Sequence, residues 1–363
     1  MSEISEELVR SVLADYILPY FETDPVSAGM VKDITINESL IKVDLELGIP
    51  IEGLKHAISE EIYSKIKYQT PAVDVLVNVN SNIRSHAVQK NVEAIKGVKN
   101  VIAVGSGKGG VGKSTMAVNL ALALKAEGAR VGMMDADIYG PSIPTMLGAS
   151  GKVTSTDGKT MEPMEAHGIQ SVSMGNMTEG DDTPVIWRGP MATSALQQLL
   201  KETNWDDLDY LIIDLPPGTG DIQLTLCQNI PVTGAVIVTT PQDISLIDAN
   251  KALKMFEKVS VNILGVIENM STHICSSCGH EEAIFGSGGG ETMADRYGVQ
   301  LLGQIPLAIE IREGVDNAKP TVTSDPESPV TATFIEIARQ VAVTISKKPR
   351  DFTAKMPKIV IES

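Results

Sequence analysis

Two cysteines that are separated by two residues could bind a metal in this chain. Cys275 and Cys278 form a C-x-x-C pair in the stretch HICSSCGH, whereas Cys227 lies in an apolar helical pattern and is interpreted as a packing residue. A C-x-x-C turn directs two thiolates to one side, which provides half of a tetrahedral sulfur site. His273 and His280 flank the pair too closely to complete the site without straining the loop, so we interpret both as exposed loop residues.

A second subunit is one way to complete this half-site. In a two-fold dimer a loop near the axis meets its own copy, so two C-x-x-C pairs would supply four thiolates. Four thiolates suit Zn²⁺ or an iron–sulfur cluster, and the number of ligands does not separate the two. A redox dithiol is a third interpretation, which is weakened because no thioredoxin-like unit is evident around the pair.

The glycine-rich stretch VIAVGSGKGGVGKSTMAVNLALAL predicts a phosphate-binding loop between a strand and a helix. Backbone N–H groups of such a loop close around phosphate, and the helix N-terminus attracts negative charge. The Walker A pattern assigns Lys113 to the β- and γ-phosphate oxygens and Ser114 to Mg²⁺. The predicted nucleotide-binding loop residues are Gly107, Lys108, Gly109, Gly110, Val111, Gly112, Lys113, Ser114 and Thr115.

Acidic residues end two other apolar strands. Asp214 ends the strand in YLIIDLPPGTGD and is placed as a Walker B acid, which holds Mg²⁺ directly or through water. Asp135 and Asp137 end the strand in MMDADIYGPS. Hydrolysis at such a site depends mainly on positioning and on charge neutralisation.

A second lysine inside the loop, Lys108, gives the sequence K-G-G-V-G-K-S. This doublet resembles the deviant Walker A motif of the nitrogenase iron protein, cell-division and partition ATPase class. The resemblance implies that Lys108 reaches phosphates bound by the other subunit of a dimer. It also implies that Asp137 orients or deprotonates the attacking water, while Asp135 lies near Mg²⁺. The predicted catalytic residues are Lys108, Lys113 and Asp137, and the predicted magnesium residues are Ser114, Asp135 and Asp214.

ATP is favoured over GTP as the nucleotide. No N-K-x-D guanine signature follows the loop, and the strand end GVIENM places Asn269 where the resembled class contacts adenine. A kinase acting on a small molecule is disfavoured because no second substrate motif can be recognised.

Several motifs in a fixed order resemble the Mrp/Nbp35 (ApbC-type) family of iron–sulfur cluster carrier P-loop ATPases. The resemblance covers roughly residues 99–320, through GKGGVGKST, DADIYGPSIPTMLG, IWRGPM, DLPPGTGD, TTPQDISLIDANKA and VIENMS followed by C-x-x-C-G and IFG. It implies a homodimer that holds a labile [4Fe–4S] cluster on Cys275 and Cys278 of both subunits and delivers it to apoproteins, with cluster-assembly scaffold proteins as further partners. Slow ATP hydrolysis would be coupled to cluster transfer.

Composition and charge limit the other functions. Acidic residues outnumber basic ones by 46 to 30, and the net charge of −16 argues against nucleic-acid binding by the surface as a whole. No apolar run approaches a membrane span, and the N-terminus MSEISEELVR lacks signal-peptide features, so we expect a cytoplasmic protein without membrane partners. Two alternatives remain: a P-loop ATPase with a structural zinc site, and a partition- or division-type spatial regulator.

The chain is predicted to contain two domains, because 363 residues exceed the size of most single cores. Residues 1–80 have the pattern of a small α+β domain, with a helix near 5–20, and resemble the MIP18-like domain. Since no cysteine precedes Cys227, we expect this domain to recruit partners. After a linker at 81–98, apolar strands alternating with helices over 99–347 predict an α/β P-loop domain with a mostly parallel sheet, followed by a tail at 348–363.

Overall fold

A computed structural model describes residues 4–37, 40–70, 74–89, 92–177, 189–275 and 277–351. The chain forms two compact units, of which the first comprises Met1–Ile83 with Ala126–Gly128 and the second comprises Arg84–Lys125 and the residues from Ala129 onward. None of the helices in the described part has the length and apolar character that a bilayer span requires. Most of the predicted tail at 348–363, and the Trp-Arg pair of the IWRGPM motif, lie outside the described residues.

The first unit packs two helices on a three-stranded sheet. Its elements are α1 (Glu6–Ala14), β1 (Val31–Asn37), β2 (Leu40–Leu47), α2 (Lys55–Gln69) and β3 (Asp74–Ser81). The strand order is β1-β2-β3, with β1 antiparallel and β3 parallel to β2. Every second residue of β2 is buried, and α2 buries one stripe at four-residue spacing, so one apolar face of each element forms this core.

Helix α1 is shorter than the sequence predicts. The Oγ atom of Ser5 accepts a hydrogen bond from the backbone N–H of Leu8 and caps the start of the helix. The helix ends at Ala14, not near residue 20. Pro19 disfavours a helical conformation at the preceding Leu18, whose N–H donates to the carbonyl of Thr23 instead. The prediction of a helix over 5–20 is therefore wrong in its second half.

The second unit is an α/β fold around one large sheet. Its elements in chain order are β4 (Val98–Ser106), α3 (Lys113–Ala126), β5 (Val131–Asp135), α4 (Ile143–Leu147), β6 (Met164–Ala166), β7 (Ile169–Ser173), a 3₁₀ turn (Met174–Asn176), α5 (Gly189–Glu202), β8 (Leu208–Asp214), α6 (Asp221–Asn229), β9 (Gly234–Thr239), α7 (Asp243–Lys258), β10 (Ile263–Ile274), β11 (Glu281–Glu282), α8 (Gly289–Tyr297), β12 (Leu301–Leu307), α9 (Ile309–Asp316), α10 (Thr321–Ser324) and α11 (Pro329–Ser346).

The sheet order explains why the predicted site residues meet. The strands run β11-β10-β9-β4-β8-β5-β7-β6, and β12 also pairs with β10. Among the described residues of this sheet, six pairings are parallel and only the short β6 and β11 pair antiparallel, which confirms the predicted mostly parallel sheet. Because β8 lies between β4 and β5, the carboxyl ends of these three strands lie side by side. Ligands of open α/β sheets bind at this edge.

Helix α3 fixes the glycine loop to this core. All residues from Met116 to Leu124 are buried, including Asn119. A helix that is apolar on all sides belongs inside a domain. The side chain of Asn119 is held by the carbonyl of Thr115 and by the N–H of Val322. The first turn of α3, which carries Lys113 and Ser114, is therefore held rigidly at the sheet edge.

Candidate functional site

The glycine loop connects β4 to α3 and takes a conformation that requires glycine. Gly110 and Gly112 have φ angles of 81° and 82°, in the left-handed region that other residues rarely adopt. A Cβ atom on Gly107 would lie 2.0 Å from the backbone carbon of Asp248 in α7. A cavity of about 230 Å³ opens above the loop, and Lys108, Lys113, Ser114, Thr115, Asp137 and Pro217 are among the residues that line it.

Asp214 joins the glycine loop to the end of β8. Its Oδ1 atom accepts from Nζ of Lys113 at 2.6 Å, and its Oδ2 atom accepts from Oγ of Ser114 at 2.6 Å. Asp214 is fully buried and Lys113 is only 6% exposed. The hydroxyl and carboxylate oxygens that meet here are the ligands that Mg²⁺ prefers, so the donor set fits this ion.

Asp135 lies beside Asp214 at the end of the neighbouring strand. Its carboxylate accepts backbone hydrogen bonds from Asp137 at 3.0 Å, Ser142 at 3.0 Å and Ile143 at 3.1 Å. Burial, followed by repulsion from Asp214, raises the pKa of Asp135 to about 7. Two buried carboxylates near a single ammonium group leave excess negative charge, which a bound cation would stabilise.

Asp137 and Lys108 face the same cavity from different segments. Asp137 follows β5, and burial raises its pKa although Lys113 opposes this effect. A carboxylate with a raised pKa is a stronger base for an attacking water. The carbonyl of Lys108 accepts from Oγ of Ser106, which fixes the lysine backbone at the start of the loop. The structure therefore brings the predicted catalytic residues together at one cavity.

Asn269 lies against the glycine loop. Its Nδ2 atom donates to the carbonyl of Val111 at 2.9 Å, and a Cβ atom on Gly112 would lie 2.3 Å from the same nitrogen. The side chain is 6% exposed. Sequence reasoning missed this loop contact, although a polar residue at the end of a buried strand was a signal that could have revealed it. The predicted contact of Asn269 with adenine remains a prediction.

The C-x-x-C pair forms the turn of a β-hairpin between β10 and β11. The N–H of Cys275 donates to the carbonyl of His280 at 2.9 Å, and the N–H of Gly279 donates to the carbonyl of Cys275 at 2.8 Å. Gly279 has a φ angle of 72°, which completes the tight turn. Backbone N–H groups of Ser277 and Cys278 donate to the Cys275 sulfur and lower its pKa, which favours the thiolate. Cys275 is half-buried and Cys278 is exposed.

The two histidines and the third cysteine have different outcomes. His280 is exposed as predicted, but His273 is half-buried within β10, and its Nδ1 atom lies 3.2 Å from the carbonyl of Leu307. The loop prediction for His273 is wrong because β11 and β12 extend β10 past Asn269. Cys227 is fully buried in α6, and burial raises its pKa to about 12, which confirms its packing role.

Around the hairpin, the described residues of the chain bring no third candidate metal ligand to the cysteine pair. Among them, no group of three or more His, Cys, Asp or Glu side chains is arranged to hold a metal ion. The prediction that the cysteine pair is half of a shared site stays a prediction.

Glu268 was also missed by sequence reasoning. It precedes Asn269 in β10 and is fully buried. Its Oε2 atom accepts from the N–H of Gly290 at the start of α8, and its Oε1 atom accepts from Nε2 of Gln304 at 2.7 Å. A charged residue inside the otherwise apolar run VIENM was the available signal, because a buried carboxylate needs partners.

Comparison with known proteins relates both units to iron–sulfur proteins. The family of NUBPL iron-transfer P-loop NTPases matches residues 97–342, and a family described as iron-sulfur cluster assembly protein matches residues 6–79. The iron-sulfur cluster carrier protein of Escherichia coli K12 is 51% identical over 344 residues, which cover 94% of this chain and 93% of the relative. The protein of the same name from Synechocystis is 44% identical over 348 residues, which cover 94% of this chain and 98% of the relative.

Solved structures agree with the fold of the second unit. A nucleotide-binding protein from Archaeoglobus fulgidus in complex with ADP is 35% identical, with a TM-score of 0.57, and the match covers 66% of this chain and 93% of that one. The cell-division ATPase MinD of Pyrococcus furiosus is 24% identical, with a TM-score of 0.50, over 67% of this chain and 98% of that one. These similarities confirm the predicted P-loop NTPase fold.

Proposed function

Because this chain belongs to the family of NUBPL iron-transfer P-loop NTPases, we propose that it is an ATP-hydrolysing carrier of iron–sulfur clusters. In this proposal two subunits hold a labile [4Fe–4S] cluster between them and transfer it to apo iron–sulfur proteins. One observation carries the proposal: a glycine loop held by the Lys113–Asp214 ion pair and two accessible cysteine thiols occur in one chain. Two copies of the hairpin supply the other half of the cluster ligands.

Phosphate chemistry takes place in the cavity above the glycine loop. Loop N–H groups and Lys113 bind the phosphates, while Ser114 and Asp214, with Asp135 beside them, would hold Mg²⁺, which would supply charge neutralisation for phosphoryl transfer. Asp137 orients the attacking water or accepts its proton. Lys108 contributes its charge to the site of the other subunit. The base contacted by Asn269 is adenine in this proposal.

Cluster chemistry takes place at the hairpin. Ligand cysteines must be deprotonated, and the hydrogen bonds that lower the pKa of Cys275 assist this step. Because Cys278 is exposed and Cys275 is half-buried, the cluster is accessible to a recipient protein that exchanges its own thiolates for these. ATP binding and hydrolysis are coupled to loading or transfer, and the protein acts in the cytoplasm with apoproteins and cluster-assembly scaffold proteins.

The domain limits belong to the same proposal. We assign residues 1–80 to a MIP18-like recruiting domain, 81–98 to a linker, 99–347 to the ATPase and cluster-carrier domain, and 348–363 to a tail. The recruiting role follows from the absence of cysteine before Cys227.

Anaerobic reconstitution with ferrous iron, sulfide and a thiol reductant tests the proposal. We expect a brown dimer with four irons and four sulfides per two chains, and loss of iron and sulfide from this dimer when an apo iron–sulfur protein is added and gains activity. Zinc is supplied in a parallel sample. A colourless protein that takes up only stoichiometric Zn²⁺ would refute cluster carriage and support the structural zinc alternative.

A further inference from the structure

Strand β10 connects the glycine loop directly to the cysteine hairpin. Asn269 on this strand donates to the Val111 carbonyl of the loop, and Cys275 follows the last residue of the same strand. The Asn269 amide also packs so closely on Gly112 that no Cβ atom fits between them. Since Asn269 is buried at this contact, the loop and the strand that carries Cys275 pack directly against each other.

The hairpin is attached at two adjacent residues of β10. On one side, the chain leaves Asn269 and runs through β10 to the cysteine turn. On the other side, it returns through β11 to Gly290, whose N–H donates to Glu268. Gln304 of β12 holds the second oxygen of Glu268 at 2.7 Å. The residues between 270 and 289 are therefore fixed at both ends beside the contact with the glycine loop.

A bulge separates this attachment from the cysteines. Asn269 is paired with Ile305 and His273 with Leu307, so four steps along β10 correspond to two along β12. Met270 in this bulge has a φ angle of 57°, which residues other than glycine rarely adopt. Ser271 holds the bulge through its Oγ atom, which donates to the carbonyl of Ile305 at 3.2 Å. Bulges beside functional sites change the direction of the residues that follow them.

We propose that Asn269 is a positioning residue through which the glycine loop and the C-x-x-C hairpin change each other's conformation. This inference deepens the proposed carrier function and rests on it for its physiological meaning. Nucleotide binding reshapes the loop, the Val111 carbonyl moves Asn269, and the bulge transmits the movement to the turn. Coupling between two sites is reciprocal, so a cluster on the hairpin alters nucleotide affinity by the same factor as nucleotide alters cluster affinity.

Hydrogen exchange of the full-length protein tests the coupling without requiring a cluster. The probes are the N–H groups of Cys275 and Gly279, because both are hydrogen-bonded inside the hairpin. Exchange is measured by mass spectrometry with and without a saturating Mg²⁺ complex of a non-hydrolysable ATP analogue. We expect nucleotide to change the exchange rates in the wild type by about fivefold or more, the lower end of typical coupling.

Two substitutions should remove this response. Asn269→Ala deletes the contact with Val111, whereas Met270→Gly keeps that contact and loosens the bulge, since glycine accepts the same φ angle and many others. Asn262→Ala is the matched control, because this exposed asparagine lies at the opposite end of β10. In both test variants the hairpin response should fall below about twofold, while the control keeps the wild-type response. Nucleotide saturation is verified for each protein by calorimetry.

The results separate this inference from the proposed function. A wild-type hairpin that ignores bound nucleotide, or a full response in Met270→Gly, overturns the inference. Met270→Gly decides the matter even if Asn269→Ala loses nucleotide binding. Failure of the wild type to take up iron and sulfide, with the exchange response intact, overturns cluster carriage but leaves the coupling. In the cluster-loaded dimer, the nucleotide dissociation constant should differ from its cluster-free value. If this difference occurs only when Asn269 is present, it supports both the coupling and cluster carriage.

Discussion

The Nζ atom of Lys113 lies 2.6 Å from Oδ1 of Asp214, and both side chains are buried. This ion pair connects the first turn of α3 to the end of β8 through two residues that are 101 positions apart in the sequence. The same lysine is assigned to the nucleotide phosphates, so phosphate oxygens and Asp214 compete for one ammonium group. In the proposed function, nucleotide binding exchanges this internal ion pair for contacts with phosphate.

Removal of Lys113 should affect both binding and stability. Lys113→Met removes a charge-assisted hydrogen bond to phosphate, worth about 1.5–3 kcal/mol, and should weaken ADP binding about 10- to 100-fold. It also leaves Asp214 buried without its cation, which costs about 3–5 kcal/mol of unfolding free energy. The measurements are calorimetric titration with Mg-ADP and thermal unfolding.

A double variant separates these two effects. Lys113→Met combined with Asp214→Asn removes both charges of this ion pair, so it should recover much of the lost stability without recovering nucleotide affinity. Unchanged ADP affinity in Lys113→Met would contradict the assignment of the glycine loop. Equal stability of the single and double variants would contradict the importance of the buried ion pair.

Gly112→Ala should be far more damaging than Gly109→Ala. At Gly112 the φ angle is 82° and a new Cβ atom would lie 2.3 Å from Nδ2 of Asn269, so both the backbone and the Asn269 contact are disturbed. Backbone strain of this kind costs about 1–3 kcal/mol, and the clash adds to it. At Gly109 a Cβ atom would meet only Pro217, at 4.0 Å. Thermal unfolding should show the difference, and equal midpoints for the two variants would argue against the loop geometry.

The cysteine pair should be required for the cluster but not for nucleotide binding. Cys275→Ala or Cys278→Ala removes one thiolate per subunit and should abolish the four-iron species after reconstitution, while the dissociation constant for Mg-ADP stays within about twofold because the glycine loop is intact. Cys227→Ala is the matched control, since this cysteine is buried in α6 and should leave the iron content unchanged. A full cluster in either of the first two variants would rule out the proposed ligands.

Much of the nucleotide site could be predicted because it depends on local patterns. A buried strand, a glycine loop and a helix in sequence order determine where Lys113 and Ser114 lie, and an apolar strand that ends in Asp214 predicts a carboxylate at the same sheet edge. The parallel sheet brings these residues together because successive βα units place all their carboxyl ends on one side.

The environment of the cysteine pair could not be predicted in this way. Whether β10 ends at Asn269 or continues to Ile274 depends on its pairing with β11 and β12, which is a non-local property. The half-buried position of His273 and the contact of Asn269 with the glycine loop follow from that pairing. Sequence periodicity contains no information about the strand register that produces them.

The stability of the second unit should fall on mild acidification because of His86. This side chain is 4% exposed, and its Nδ1 atom lies 3.0 Å from Oδ1 of Asn100. Burial lowers the pKa of His86, and the positive charges of Lys348 and Arg350 lower it further, while the contact with Asn100 opposes the shift. Below pH about 6.5, His86 therefore becomes protonated more readily in the unfolded chain than in the folded chain. The unfolding free energy consequently declines as the pH decreases.

Calorimetry of a matched pair of variants checks this pH dependence. His86→Asn retains a donor for Asn100 but does not titrate, so its melting temperature should change less than that of the wild type between neutral and mildly acidic pH. His280→Asn is the control, because this histidine is exposed in the hairpin turn. Parallel pH profiles for the wild type and His86→Asn would show that His86 is not the titrating group.

Lys108 should act on the nucleotide of the partner subunit. Lys108 lines the cavity that also contains Asp137, and it forms no ion pair within the described part of the chain. The test mixes Lys108→Ala subunits with Asp137→Asn subunits. If Lys108 acts across the dimer, each mixed dimer contains one nucleotide site in which both Lys108 and Asp137 are intact. Random pairing then restores about a quarter of the wild-type ATPase activity, although each variant alone is inactive.

The control mixture combines Lys113→Ala with Asp137→Asn, because these two residues serve the same subunit's nucleotide and no site is restored. Equal inactivity of the two mixtures would assign Lys108 to its own subunit.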